Sequence, residues 1–250
     1  MQKEQRRICL LDEMRGLAIL LMVVHHFLYT LGYLFDVRFG RVWFEKLSLF
    51  TPLFAGLFIV LCGISCHLSR NNWRRGLELA VFALLLSLTM WLFMPQEMIR
   101  FGILHCLAVC ILLYAALAPL LRRIPAWLGL AVALLLFRLT YHAPFVDGGY
   151  IGISPALGWH LPWQWINADW GFVLGTSLSP GSDYFPLIPW LFLFLAGTFV
   201  GVFAKGGKFP AFCYRPHCRP LAFIGRHTVW VYLAHQPIIF AILWLWFKFI

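Results

Sequence analysis

Arg15 and His26 stand eleven positions apart in an otherwise apolar run. At about 100° per residue, eleven steps return to within roughly 20° of the same helix face, and at 1.5 Å per residue they separate the two side chains by about 16 Å. A guanidinium fork matches phosphate, and an imidazole accepts and returns a proton near neutral pH. The spacing therefore suits a substrate with a phosphorylated head at a membrane surface and a reactive end deep in a helical bundle. Asp12, three residues before Arg15, stands where it can orient that arginine. His25 adjoins His26, and His235 precedes Pro237 at a matching depth in the last apolar run. His105 and Asp183 form a second pair, one near the start of the fourth apolar run and one just before the sixth. Ionisable groups inside membrane segments are costly and mark function by default.

Metal chemistry is not expected. Cys62 with Cys66, and Cys106 with Cys110, are i,i+4 pairs better suited to helix packing, and Cys213, His217 and Cys218 lack a second matching pair. The sequence holds no Gly-rich phosphate loop, no Gly-x-Ser-x-Gly elbow and no His-Glu-x-x-His helix.

The elements that must position these residues are transmembrane helices. Of 250 residues, 62% are hydrophobic and 12% charged, and the mean hydropathy is +0.80, whereas soluble domains run near 45–50% apolar and about 25% charged. A span needs roughly 20 apolar residues. About seven segments come close, near 16–35, 50–68, 77–94, 101–121, 126–141, 187–204 and 228–247, the fifth being the shortest. The expectation is an all-α polytopic bundle forming a single domain over 1–250. Gly197 and Gly201 are spaced for close helix approach, in packing or in a homo-oligomer.

The net charge of +10 could suggest nucleic acid, but its distribution indicates topology instead. With the N-terminus inside, 14 of the 20 basic residues, among them Lys3, Arg6, Arg7, Arg70, Arg74, Arg75, Arg122, Arg123, Lys205 and Arg226, fall on the cytoplasmic side, and five, Arg38, Arg41, Lys46, Arg100 and Lys248, fall outside. The C-terminus then lies outside. The connection at 141–186 carries no Lys or Arg but holds Asp147, Asp169, Asp183 and four tryptophans, Trp159, Trp163, Trp165 and Trp170. It fits an outer interfacial belt or a platform for a sugar ring.

The run Leu11-Asp12-Glu13-Met14-Arg15-Gly16 through His25-His26-Phe27 resembles the opening of the heparan-alpha-glucosaminide N-acetyltransferase catalytic-domain family, in its small bacterial branch. Arg100-Phe101-Gly102-Ile103-Leu104-His105, Asp183-Tyr184-Phe185-Pro186 and Gly225-Arg226 through Pro237 continue the resemblance. It implies a membrane acyltransferase that takes acetyl-CoA or another acyl-CoA from the cytoplasm and passes the acyl group to a sugar amine or hydroxyl across the bilayer. The family's lysosomal enzyme keeps its catalytic histidine in the loop after the first span, and 36–49 here has none. The expectation is therefore that His26 is the general base, with His235 or Asp183 orienting it and His25 and His105 nearby. Arg15, with Asp12, Arg70, Arg74, Arg75 or Arg226, would hold the CoA phosphates. Such a protein belongs in a bacterial cytoplasmic membrane. The rival readings are a proton-coupled transporter, in which the same histidines relay protons, and a haem b protein ligated by His26 and His235.

Overall fold

The computed structural model describes residues 7–143, 150–166, 168–176 and 183–249. Lys3, Arg6 and Asp147 lie outside the described residues, as does the side chain of Trp163. Helix α1 spans Cys9–Tyr29 and runs into a π-helical turn, Thr30–Leu34. There follow α2 (Arg38–Ser48), α3 (Thr51–Leu68), α4 (Asn72–Phe93), α5 (Ile103–Leu121) and α6 (Ala126–Thr140). The long connection holds a two-stranded antiparallel pair, β1 (Tyr150–Ile151) with β2 (Trp159–His160), and two short helices, α7 (Trp163–Ile166) and α8 (Gly171–Leu174). Helices α9 (Leu187–Lys205), α10 (Arg219–Arg226) and α11 (Thr228–Phe249) complete the chain.

Among the described residues, six helices are long and apolar enough to cross a membrane: α1 with its π turn, α3, α4, α5, α9 and α11. The expected fifth span is α6, whose 15 residues cover only about 22 Å at 1.5 Å per residue, against a hydrocarbon core of about 30 Å. The all-α bundle expected from composition is what forms. On α4 and α11 large side chains such as Leu84, Trp91, Trp230 and Ile242 are exposed. Such surfaces would aggregate in water, and in a bilayer they are lipid contacts.

Contacts divide the chain into two compact units, Met1–Leu61 with Gly207–Ile250, and Cys62–Gly206. Where there is no hydrophobic gain in joining two lipid-facing helices, close backbone approach through small residues takes over. In the first unit, Gly16 of α1 lies against the Leu221 carbonyl of α10, and Gly225 of α10 lies against the Asp12 carbonyl of α1. The π turn makes the same kind of contact, Gly32 against the backbone of Gly40 and Arg41 in α2. Asp36 closes that turn at φ 57 and pairs with Arg41 at 2.7 Å.

In the second unit α9 presses Gly201 against the Ile64 carbonyl and His67 of α3, so one half of the expected Gly197 and Gly201 pair is committed to packing within the chain. Gly63 of α3 meets the Phe194 carbonyl of α9, and Gly129 of α6 meets the Phe199 ring of α9.

A Cβ at residue 225 would overlap the Asp12 carbonyl, a backbone atom that cannot rotate away. Gly225→Val should therefore cost more than the about 1–3 kcal/mol usual for overpacking. Thermal unfolding in detergent should show a much lower midpoint or no folded monomer, and a wild-type midpoint would contradict the crossing of α1 and α10.

Candidate functional site

The imidazoles of the apolar helices divide by their hydrogen bonds. His25 Nε2 lies 3.0 Å from Ser48 Oγ. Ser48 gives its only proton to the Phe44 carbonyl at 2.8 Å, so its oxygen accepts and His25 donates Nε2–H. The ring also packs on Phe44, centroid to centroid 4.6 Å. His25 thus ties α2 to α1.

Among the described residues His26 has no such hydroxyl partner. Its ring faces His235 of α11, with centroids 5.0 Å apart and planes at 64°. Both rings are buried. His235 Nδ1 bonds to the Tyr232 carbonyl, which can only accept, so Nδ1 carries the proton and Nε2 of the neutral ring keeps a bare lone pair. That His235 Nε2, and Nδ1 of His26, are buried without a hydrogen-bond partner among the described residues. Buried polar atoms are nearly always paired, and each exception calls for an explanation, such as a catalytic role or an ordered water. Sequence alone assigns the base role to His26, with His235 orienting it. In the structure His235 is the ring with a fixed proton on one nitrogen and a free lone pair on the other.

One turn further along α1, Thr30 and Gln236 repeat the contact between α1 and α11. Gln236 Nε2 lies 3.3 Å from Thr30 Oγ1, and Thr30 is fully buried. Neither residue stands out in sequence, since a Thr and a Gln in apolar runs carry no spacing signal. The π turn that begins at Thr30 is the structural clue, because such turns gather at functional sites.

At the start of α1, Asp12 accepts from Arg15 Nη1 at 2.8 Å and from Arg7 Nε at 2.7 Å. The carboxylate is almost wholly buried, while Arg15 is about one-fifth and Arg7 more than half exposed. Asp12 therefore orients Arg15 as expected and holds Arg7 as well, so that two guanidinium groups share one anchor. Glu13, only 5% exposed, accepts from the backbone N–H groups of His217 at 2.6 Å and Cys218 at 2.9 Å. It lies 3.4 Å from His217 Nδ1. The carboxylate thus sits at the N-terminus of α10, where the helix dipole favours negative charge.

The second unit holds the other expected site residues. His105 Nδ1 accepts from the Gly102 N–H at 3.3 Å. Its Nε2 meets Ser87 Oγ at 3.1 Å, and that hydroxyl gives its proton to the Ile99 carbonyl at 2.7 Å. Nδ1 is thus spent on capping α5 and Nε2 on Ser87 of α4. Asp183 is buried, its carboxylate packed against Gly102 at the same helix end. Tyr184 donates to the Phe172 carbonyl at 2.8 Å, and burial pushes its hydroxyl above the ordinary tyrosine range, so it stays a neutral donor. Arg74 pairs with Glu78 at 2.7 Å, Arg75 reaches the Ser65 carbonyl at 3.4 Å, and Arg70 is exposed. Arg226, in the first unit, is exposed over the Phe223 ring at 5.9 Å.

No group of three or more His, Cys, Asp or Glu placed to hold a metal occurs among the described residues. A metal between two imidazole nitrogens, at about 2 Å from each, would hold the ring centroids roughly 6 Å apart, and the 5.0 Å between His26 and His235 is too short for an iron and porphyrin.

A family model described as heparan-alpha-glucosaminide N-acetyltransferase, catalytic, matches residues 7–237. No curated protein and no solved structure matches the chain.

Removing the Glu13 carboxylate leaves two buried N–H groups without their acceptor. Glu13→Ala should lower the thermal midpoint by several degrees and speed maleimide labelling of Cys218, and Glu13→Gln, which keeps one acceptor oxygen, should fall between. Unchanged labelling in both variants would contradict the clasp.

Proposed function

The chain belongs to the heparan-alpha-glucosaminide N-acetyltransferase catalytic family, and we propose that it moves an acetyl group from acetyl-CoA to a sugar amine or hydroxyl. As an integral membrane protein of this family it has a membrane acetyltransferase-like role, and the His26–His235 pair is the observation that carries the finer reading. Two facing rings with bare buried nitrogens supply what acyl transfer to a weak nucleophile needs, a base whose lone pair is not already used.

His235 Nε2 takes the proton from the acceptor as its nitrogen or oxygen bonds to the thioester carbonyl carbon. The Tyr232 carbonyl, already bonded to Nδ1–H, steadies the imidazolium that forms, the part a carboxylate plays in a triad. The carbon–sulfur bond then breaks, and the pair returns the proton to the thiolate through His26, releasing CoA. Two cations 5.0 Å apart would repel strongly in this setting, so the pair takes up one extra proton at a time. The Gln236 amide, held by Thr30, offers a donor for the oxygen that gains charge in the transition state.

Arg15 and Arg7 suit the phosphates of CoA. Their shared anchor, Asp12, keeps the two forks from swinging, and about 16 Å along α1 separates Arg15 from His26 at 1.5 Å per residue. In this reading the N-terminus and the donor are cytoplasmic, the acceptor reaches the site from the other face, and the membrane is a bacterial cytoplasmic one.

Purified protein supplied with acetyl-CoA and candidate amino sugars should release free thiol. His235→Ala and His26→Ala should each lose at least about 10²-fold in turnover, the usual worth of general base catalysis. Thr30→Val, which keeps the shape and removes the hydroxyl, should lower kcat with little change in KM for acetyl-CoA. Full turnover in both histidine variants would overturn the assignment. Flux driven by a pH gradient in liposomes, with no thiol release, would assign the pair to a proton-coupled transporter instead.

A further inference from the structure

The second unit contains a polar cluster that the acetyl-transfer reading does not use. Tyr114 of α5, 1% exposed, has its hydroxyl 2.9 Å from His67 Nε2 in the last turn of α3. Gly201 of α9 packs directly on the His67 side chain, which is why a glycine stands there. From these three points each helix runs on toward a cation. Arg122 lies two turns beyond Tyr114 on the same face of α5, through buried Ala118, and Lys205 lies one turn beyond Gly201 on α9. Both cations are close enough to act on the His67 ring.

Counting donors and acceptors shows what is missing. Among the described residues the buried Tyr114 hydroxyl has no other acceptor, so its proton goes to His67 Nε2. His67 in that tautomer carries N–H on Nδ1. The cluster then presents the His67 N–H, the Arg122 fork and the Lys205 ammonium with no carboxylate among them. Among the described residues neither Arg122 nor Lys205 enters an ion pair, and Glu78 is already paired with Arg74. Helix C-termini favour nearby cations, which accounts for Arg122 and Lys205 at the ends of their helices. It does not account for a fully buried hydroxyl wired to an imidazole between them.

The geometry points to a phosphate-binding site at the joined ends of α3, α5 and α9, formed by His67, Arg122 and Lys205 and braced by Tyr114. A planar fork and a point charge beside a neutral N–H donor match the oxygens of a phosphate ester. That group has two sources at a membrane surface, the headgroup of an anionic lipid and the phosphate of a soluble nucleotide. The site is independent of the His26–His235 reading, which rests on other residues in the other unit.

The full chain in neutral detergent is titrated with short-chain phosphatidylglycerol and, separately, with adenosine 3′,5′-bisphosphate, with binding read by native mass spectrometry and by the thermal midpoint. At least one probe should bind and raise the midpoint. Arg122→Gln and Lys205→Gln, both at exposed positions expected to tolerate the change, should each weaken that probe at least tenfold. Tyr114→Phe should weaken it several-fold by freeing the His67 ring. Arg123→Gln and Lys208→Gln, equal in charge lost, should leave it unchanged. Binding of the lipid alone assigns a headgroup site, and binding of the bisphosphate alone assigns a nucleotide site. Binding of neither probe, or equal loss in the Arg123 and Lys208 variants, overturns the proposal.

Discussion

A polar side chain in a lipid-facing bundle is tolerable only when its donors and acceptors are paired, because hydrocarbon offers no replacement for water. Five of the nine histidines lie in apolar helices, and this constraint sorts them. His25, His67 and His105 each have a hydroxyl partner, from Ser48, Tyr114 and Ser87. In His25 and His105 that hydroxyl has already given its proton to a carbonyl. His26 and His235 face each other instead, and among the described residues each keeps one buried nitrogen without a partner. Such a pair is costly to keep for packing alone, and it becomes intelligible when a substrate supplies the missing partner.

The pair depends on how α1 is held. Two neighbouring carboxylates near its start face different tasks. Asp12 gathers Arg7 and Arg15, and Glu13 binds the N-terminus of α10. Gly16 and Gly225 then let the α1 and α10 backbones touch. With the lower end of α1 fixed this way, the contacts with α11 fall at His26 and Thr30, and the π turn brings the chain round to α2.

Much of this was legible in the residues. The spacing of Arg15 and His26, the matching depth of His235 and the orienting role of Asp12 all follow from helix periodicity and the cost of charge in a membrane. The partners of Glu13 were not legible, because they are backbone groups some two hundred residues away, and backbone donors leave no mark on a sequence. Which histidine carries the free lone pair was hidden for the same reason, since the Tyr232 carbonyl decides it. The surroundings of His105 and Asp183 were not legible either, since Nδ1 of His105 caps α5, Nε2 meets Ser87 of α4, and Asp183 packs on Gly102. The short α6 shows the limit of hydropathy, which marks an apolar helix without fixing whether it is long enough to cross.

The central claim is that His235 holds its proton on Nδ1 and leaves Nε2 bare. Solid-state ¹⁵N NMR of the histidine-labelled protein in lipid bilayers reads both nitrogens directly, and comparison with His235→Gln assigns the signals. The account predicts a protonated Nδ1 and an unprotonated Nε2 for His235 in the absence of substrate. A proton on Nε2 with Nδ1 bare would contradict it.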